Sequence, residues 1–301
     1  MPVNAPHREA AGHSLPKITV ALPVLNGGLH LRIAVLSILG QTFQDWELLV
    51  IDDGSTDDAL QRLADIHDSR IRILRDGMNK GLAVRLNEAI DLSRGQYFAR
   101  MDHDDVAYPE RFVRQLELLE SSPELDVVAV RAVTISDDNE LLGNFPGPLD
   151  HGSICARPWQ GFYFPHPTWM GRTRWFRAHR YATPGPYFCE DQELLLRSYA
   201  KSRFATVDRV LFAYRVRNRI NWKKQTKTRW TLFNIQLRHF LRSGQFVFAF
   251  LALVAFAGRV ISDLLKLSGQ NMLGRQYSRS TIDSAESSKW QEVLKEIFGK
   301  T

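Results

Sequence analysis

The chain of 301 residues is 44% hydrophobic and 24% charged, enough apolar content for one large core or two modest ones, which excludes wholesale disorder. Its only cysteines, Cys155 and Cys189, form no CxxC pair, so neither a disulfide framework nor a thiolate metal site is expected, and a reducing compartment fits. Net charge is +6, and no acidic residue lies between Asp208 and Asp263, an interval that holds Arg209, Arg215, Lys223, Lys224, Lys227, Arg229, Arg238, Arg242 and Arg259; such a block is drawn to an anionic surface.

Residues 1–15 are polar with Pro and Gly and hold no apolar stretch of signal-peptide length, so a disordered tail that starts on the cytoplasmic side is expected. Residues 17–22 (KITVAL) read as a buried strand running into Pro23 and the turn-prone Asn26-Gly27-Gly28. From Leu29 the apolar spacing turns helical, with Leu31, Ala34, Val35 and Ile38 on one face and Gly40 as the stop. Residues 46–51 (WELLVI) make a second strand that ends at Asp52-Asp53-Gly54-Ser55. Strand, helix and strand with short connections form a βαβ unit, which favours parallel pairing with a right-handed crossover. The alternation predicts a helix over 59–66, a strand over 71–74, a helix over 81–93 and a strand over 97–101 that leads into Asp102, Asp104 and Asp105. Pro109 opens a helix whose apolar face carries Phe112, Leu116 and Leu119, and residues 127–133 (VVAVRAV) are a further strand. The fold class is therefore α/β, a doubly wound, mostly parallel, Rossmann-like sheet, and such sheets bind ligands beyond the carboxyl ends of their strands. Residues 138–190 are expected to be irregular and to cover substrate. A helix after Glu190-Asp191, strand structure over 204–214 and a basic, apolar, helical extension complete the chain.

Asp102 and Asp104 are two apart, so in extended backbone their side chains share one side, with His103 turned away. Carboxylates that close repel unless a cation lies between them. Mg²⁺ or Mn²⁺ takes one or two carboxylates and leaves the rest of its shell to water and phosphate oxygens. Turn formation and capping ahead of Pro109 account for one aspartate, not three. Asp52 and Asp53 suit either an Asx turn or hydrogen bonds to a base or ribose. Glu190 and Asp191 fit the first turn of a helix, where negative charge is favoured, and equally fit proton abstraction.

The stretches KITVALPVLNGG, SILGQTFQDWELLVIDDGSTDD, NKGLAVRLNEAI, GQYFARMDHDDVAYPERFVRQ and EDQELLLR, in this order over about residues 16–215, resemble the family 2 glycosyltransferases of GT-A fold. The resemblance implies inverting transfer of a sugar from a nucleoside diphosphate, with Mn²⁺ or Mg²⁺ as cofactor. Asp102-His103-Asp104 then stands as the DxD element, with Asp104 the first metal ligand and Asp102 a second, near the ribose. Asp53 would contact the base with Asp52 beside it. Pro23 and Leu25 would edge the base pocket, Leu25 standing where the family often has an aromatic, and Asn79, Gly81 and Asn87 would shape the loop and helix near the nucleotide. Asp191 would be the general base. Glu190 and His166 would lie on the acceptor side, with Arg197 and Arg172 available to the departing diphosphate. A glycosyltransferase domain over 16–215 would comprise a nucleotide-binding half, 16–137, and an acceptor-binding half, 138–215. A sugar-phosphate nucleotidyltransferase is the alternative enzyme, but it needs a fixed cation in the first phosphate loop, which Asn26-Gly27-Gly28-Leu29-His30 does not offer. A nucleotide-sugar-binding module without turnover is the non-enzymatic alternative, against which the intact aspartates argue.

Residues 246–258 form a run of thirteen apolar residues, short of the ~20 that a spanning helix needs. With the lysines before it and Trp222 and Trp230, the run gives the region 216–301 the character of a peripheral attachment to an anionic membrane surface, at the inner face of the cell membrane. That location suits a saccharide or polyprenyl-linked acceptor in cell-surface polysaccharide assembly. No zinc-finger, RNP or helix-turn-helix pattern accompanies the basic block, so nucleic acid is not an expected partner.

Overall fold

The computed structural model describes residues 15–145, 147–186, 188–216, 221–267 and 282–299; apart from Leu15, the expected N-terminal tail lies outside them. The first half runs β1 (Ile18–Val24), α1 (His30–Leu39), β2 (Trp46–Asp52), β3 (Ile71–Arg75), α2 (Leu82–Leu92), β4 (Tyr97–Arg100), β5 (Val106–Ala107), α3 (Arg111–Ser121) and β6 (Val127–Ile135). It continues with β7 (Leu141–Phe145), α4 (His151–Ile154), β8 (Met170–Arg172), α5 (Thr173–Ala178), α6 (Glu190–Ser198), β9 (Phe204–Arg215), α7 (Trp222–Arg242), α8 (Phe246–Leu267) and α9 (Ser284–Phe298).

One sheet carries these strands in the order β3-β2-β1-β4-β8-β6-β9-β5, with β7 paired to β6. The strands β3, β2, β1 and β4 are mutually parallel, as the βαβ pattern requires. Every residue of β1 and β2 is buried, which is why both read as continuous apolar runs without alternation. Burial of each such Val, Leu or Ile side chain contributes roughly 1.5–3 kcal/mol. Beyond β4 the sheet changes character, since β8 inserts antiparallel between β4 and β6 while β6 and β9 pair in parallel.

Three local expectations differ from the structure. In place of a helix over 59–66 there is a single 3-10 turn, Gln61–Leu63. The Asp57 carboxylate accepts from Gly28 N–H and Ala59 N–H and so ties the segment to the loop after β1, while the Asp58–Arg62 pair, four residues apart, supports the one turn that forms. The 138–190 stretch is more ordered than expected, with β7, α4, β8 and α5 all inside it. Finally, the apolar run at 246 does not stop at thirteen residues. Helix α8 spans 22 residues, because Asp263 turns inward to pair with Arg229 of α7 and Arg259 donates to the Gln160 carbonyl. By length and composition the segment Phe246–Leu265 is long and apolar enough to cross a membrane, with a mean hydropathy of 1.9 and 17% of it buried. Its outward stripe includes Phe246, Phe250, Leu253, Val254, Ile261 and Leu264, all exposed.

The C-terminal helices pack on both sides of the sheet. Phe240 of α7 and Ala249 and Ala252 of α8 join the cluster that contains Phe98, Trp169 and Leu194. Helix α9 returns to the other face, where Trp290 stacks on Tyr108 with ring centroids 5.9 Å apart and donates from Nε1 to the Asn139 carbonyl.

Candidate active site

The register of the parallel strands brings two acidic tips to one edge. Val24 pairs with Asp52 across β1 and β2, Asp53 N–H donates to the Val24 carbonyl at 2.8 Å, and Met101 N–H donates to the Ala21 carbonyl at 2.9 Å. The tips of β2 and β4 therefore flank β1, whose Pro23 is buried opposite Ile51 and whose continuation, Leu25, is 41% exposed. The loop after β1 touches the tip of β4, since a Cβ on Gly27 would lie 3.4 Å from His103 Cδ2.

Asp52 and Asp53 have different surroundings. The Asp52 carboxylate accepts from Ser55 N–H at 2.9 Å, an Asx turn. Asp53 Oδ1 accepts from Lys80 N–H at 2.7 Å and from Arg85 Nε at 2.9 Å, and Gly81 N–H reaches both oxygens at 3.1 and 3.0 Å. Arg85, itself buried, continues to Asp76 and Glu88. Asp53 is thus the post to which the loop bearing the exposed Asn79 is tied. Its Oδ2 accepts from one donor among the described residues and has a lone pair to spare. Asn87 does not face this loop; its side chain bonds the backbone of Tyr181 and the Arg180 guanidinium, before α6.

At the tip of β4 the backbone turns over His103 and Asp104 instead of staying extended, so the turn, not strand alternation, gathers the carboxylates. One oxygen each from Asp102, Asp104 and Asp105 lie within 4.8 Å of one another. Asp102 Oδ1 accepts from Arg100 Nη2 at 2.7 Å. Asp105 is buried; its Oδ1 accepts from Arg215 N–H at 2.8 Å, and its Oδ2 has no hydrogen-bond partner among the described residues. Arg215 also donates from Nε to the Asp104 carbonyl at 2.6 Å and to the carbonyls of Ser136 and Asp137, clamping the turn. Burial, and then the charges of Asp104 and Asp102, raise the Asp105 carboxyl well above its ordinary range; burial likewise raises Asp102, opposed by Arg100. An orphaned buried carboxylate oxygen inside a ring of like charge is the donor set that a hard divalent cation satisfies. The residues fit a hard divalent cation such as Mg²⁺ or Mn²⁺, with Asp105 offering a third oxygen beside those of Asp102 and Asp104.

A second cluster stands at the start of α6, where oxygens of Glu190 and Asp191 and a ring nitrogen of His166 lie within 4.8 Å of one another. His166 is buried, with Nε2 at 2.7 Å from the Tyr181 hydroxyl. Burial first, then the charge of Arg100, hold its pKa well below the usual range. The imidazole is therefore neutral, and its 3.8 Å approach to Glu190 is not an ion pair. Burial and the charge of Asp191 push the Glu190 carboxyl up to about 7. Burial also raises Asp191, against the hydrogen bond it accepts from Gln192 Nε2 at 3.0 Å. Between the two clusters sits Arg100, fully buried, with Nε and Nη1 unpartnered among the described residues. It pairs with Asp102, and its charge acts on Glu190 and Asp191 as well.

The remaining arginines are taken up elsewhere. Arg197 pairs with Glu193 and donates to the Arg180 carbonyl, and Arg172 donates to the carbonyls of Leu119, Pro123 and Leu125 at the end of α3. Sequence reasoning missed Arg100, Arg215, Tyr181 and the orphaned oxygen of Asp105. For Arg100 a signal existed, a cation closing an otherwise apolar strand directly before the aspartates.

Residues 19–180, more than half of the chain, match the profile of glycosyl transferase family 2, and the chain belongs to that family. Among curated relatives it is 31% identical over 173 residues to EpsE of Bacillus subtilis, a glycosyltransferase by name, covering 55% of this chain and 60% of EpsE. It is 32% identical over 177 residues to an uncharacterized glycosyltransferase of Haemophilus influenzae, covering 55% of this chain and 54% of that one. The chain thus spans only about half to three fifths of these relatives. In fold it is similar to Staphylococcus aureus TarS 1-349, solved in complex with UDP-GlcNAc, at a TM-score of 0.64 and 15% identity, covering 93% of this chain and 80% of that one. The fold is of the GT-A type.

Proposed function

We propose that this protein is an inverting glycosyltransferase that moves a sugar from a nucleoside diphosphate donor to a saccharide or polyprenyl-linked acceptor. The observation that carries the reading is the pair of acidic clusters, one at the tip of β4 and one at the start of α6, both within reach of the charge of the buried Arg100. Family membership and the nucleotide sugar in the TarS crystal support a donor of the same kind. In this reading Asp53 and the residues 78–81 grip the base, with Pro23 and Leu25 along its edge. Asp104, Asp102 and Asp105 hold Mg²⁺ or Mn²⁺, which when bound offsets the charge of the departing diphosphate. Asp191 accepts the acceptor hydroxyl proton as that oxygen bonds to the anomeric carbon. The bond from that carbon to the phosphate oxygen breaks with its electron pair on the nucleotide, and configuration inverts. Glu190 and His166 keep the base oriented and dry. A positioned base contributes ~10²–10⁴-fold.

The chain works, in the same reading, at the inner face of the cell membrane. The exposed apolar stripe of α8 and the lysines of α7 support that location, and residues 216–301 supply it while 16–137 and 138–215 serve donor and acceptor. A thermal-shift and hydrolysis screen with UDP-, GDP-, dTDP- and CDP-sugars, with and without Mn²⁺, tests the donor side. One nucleotide is expected to stabilise the wild type in Mn²⁺ and to leave Asp104→Ala unmoved. An equal response from both proteins refutes the site.

A further inference from the structure

A cleft of about 230 Å³ opens between the acceptor half and the C-terminal helices, lined among others by Gln160, Gly161, Tyr163, Gln192, Arg229 and Arg259. It is adjacent to the second acidic cluster through one residue. Gln192 Oε1 accepts from Phe162 N–H at 2.8 Å, and its Nε2 donates both to the Phe162 carbonyl and to Asp191 Oδ2. One side chain thus lines the cleft and holds the carboxylate proposed as base.

The charges in this cleft do not balance. Arg229 is paired through Nε and Nη2 with the two oxygens of Asp263. Arg259 donates to the Gln160 carbonyl, and no carboxylate lies within ion-pair distance of it among the described residues. Burial lowers the Arg259 pKa, opposed by the Tyr163 phenol and reinforced by the charge of Arg229. A half-buried guanidinium without a counter-anion costs free energy that an incoming anion recovers, and the planar fork of arginine matches phosphate oxygens two at a time. Arg259 also lies on α8, whose outward stripe is apolar along its length.

We propose that this cleft binds the phosphate or diphosphate of a lipid-linked acceptor, with Arg259 as the principal ligand and Arg229 beside it. The hydrocarbon lies along α8 and the sugar points to Asp191. The proposal rests on the glycosyl-transfer reading, but its test does not use turnover.

Geranyl diphosphate is titrated into the full chain in EDTA, where the aspartate turn has no metal with which to capture a diphosphate. The wild type is expected to bind. Arg259→Gln is expected to weaken binding about tenfold or more, and Arg259→Lys by less, the loss of one charged hydrogen-bonding fork. Inorganic pyrophosphate is expected to displace the probe from the wild type. Asp104→Ala is expected to bind it undiminished, which separates this cleft from the donor site. Unchanged affinity in Arg259→Gln, or no displacement by pyrophosphate, overturns the proposal. Vesicles of phosphatidylglycerol distinguish the two sources of phosphate. Vesicle binding that falls in Arg259→Gln, with no binding of geranyl diphosphate by the wild type, assigns the cleft to bulk headgroups and also overturns it. A nucleotide response that survives in Arg259→Gln while probe binding is lost keeps the donor reading and this one separately testable.

Discussion

Substitution of Glu190 by glutamine is expected to change the pH dependence of stability, with a sign that follows from burial. The Glu190 carboxyl titrates near 7 in the folded chain against 4.5 for an unperturbed glutamate. Between those values the folded state keeps a proton that the unfolded state has already released, so stability falls as pH rises through that window and levels off above it. One pKa unit corresponds to ~1.4 kcal/mol, so the whole window amounts to ~3 kcal/mol. Glutamine has no proton to lose and matches the carboxyl in shape. Glu190→Gln is therefore expected to be close to wild type at pH 4.5 and about 3 kcal/mol more stable at pH 8. Urea denaturation midpoints in EDTA, at both pH values, read the difference. A stability gap between the two proteins that is the same at pH 4.5 and pH 8 refutes the buried, proton-holding glutamate.

Two further outcomes follow from the geometry. Asp191→Asn is expected to keep the metal-dependent nucleotide thermal shift of the wild type while transfer falls by ~10²–10⁴-fold, and retained turnover removes Asp191 as the base. Gly54 has φ of +80°, and a Cβ there would stand 3.0 Å from the Met78 backbone carbon. Gly54→Ala is therefore expected to cost ~1–3 kcal/mol in a denaturant titration and to weaken nucleotide binding by pushing residues 78–80 away from Asp53; binding at wild-type strength would separate that loop from the nucleotide.

The parts of the fold that were legible in the sequence share a physical cause. Strands β1 and β2 are buried along their whole length, so their composition announces them, and the helix between them makes the parallel pairing nearly obligatory. What remained hidden depends on partners distant in sequence. The length of α8 is one example, since Arg259 and Asp263 look like an interruption until α7 supplies Arg229 and the loop between α4 and β8 supplies the Gln160 carbonyl. The 59–66 segment is another, where periodicity favoured a helix and the Asp57 side chain tied the backbone to the loop after β1. Strand β8 has three residues, too few for any period, yet it joins the two halves of the sheet.

The site divides along the same line. Asp53, Asp102, Asp104 and the Glu190-Asp191 pair stand out in the sequence because crowded carboxylates at strand and helix ends need an explanation from charge alone. Opposite charge is harder to foresee, because one arginine can serve two clusters only after folding has brought them together. Arg100 is a fully buried cation whose charge acts on both Asp102 and the Glu190-Asp191 pair, and Arg215 clamps the β4 turn from the far end of β9. Against the carboxylates of both clusters these two guanidinium groups leave the site short of positive charge, so burial prevails and raises Asp102, Asp105, Glu190 and Asp191 together. A protein that only had to fold would replace such groups with apolar ones at little cost or some gain. Keeping them buried and underneutralised makes sense where a cation and a reacting hydroxyl are to supply what the chain withholds.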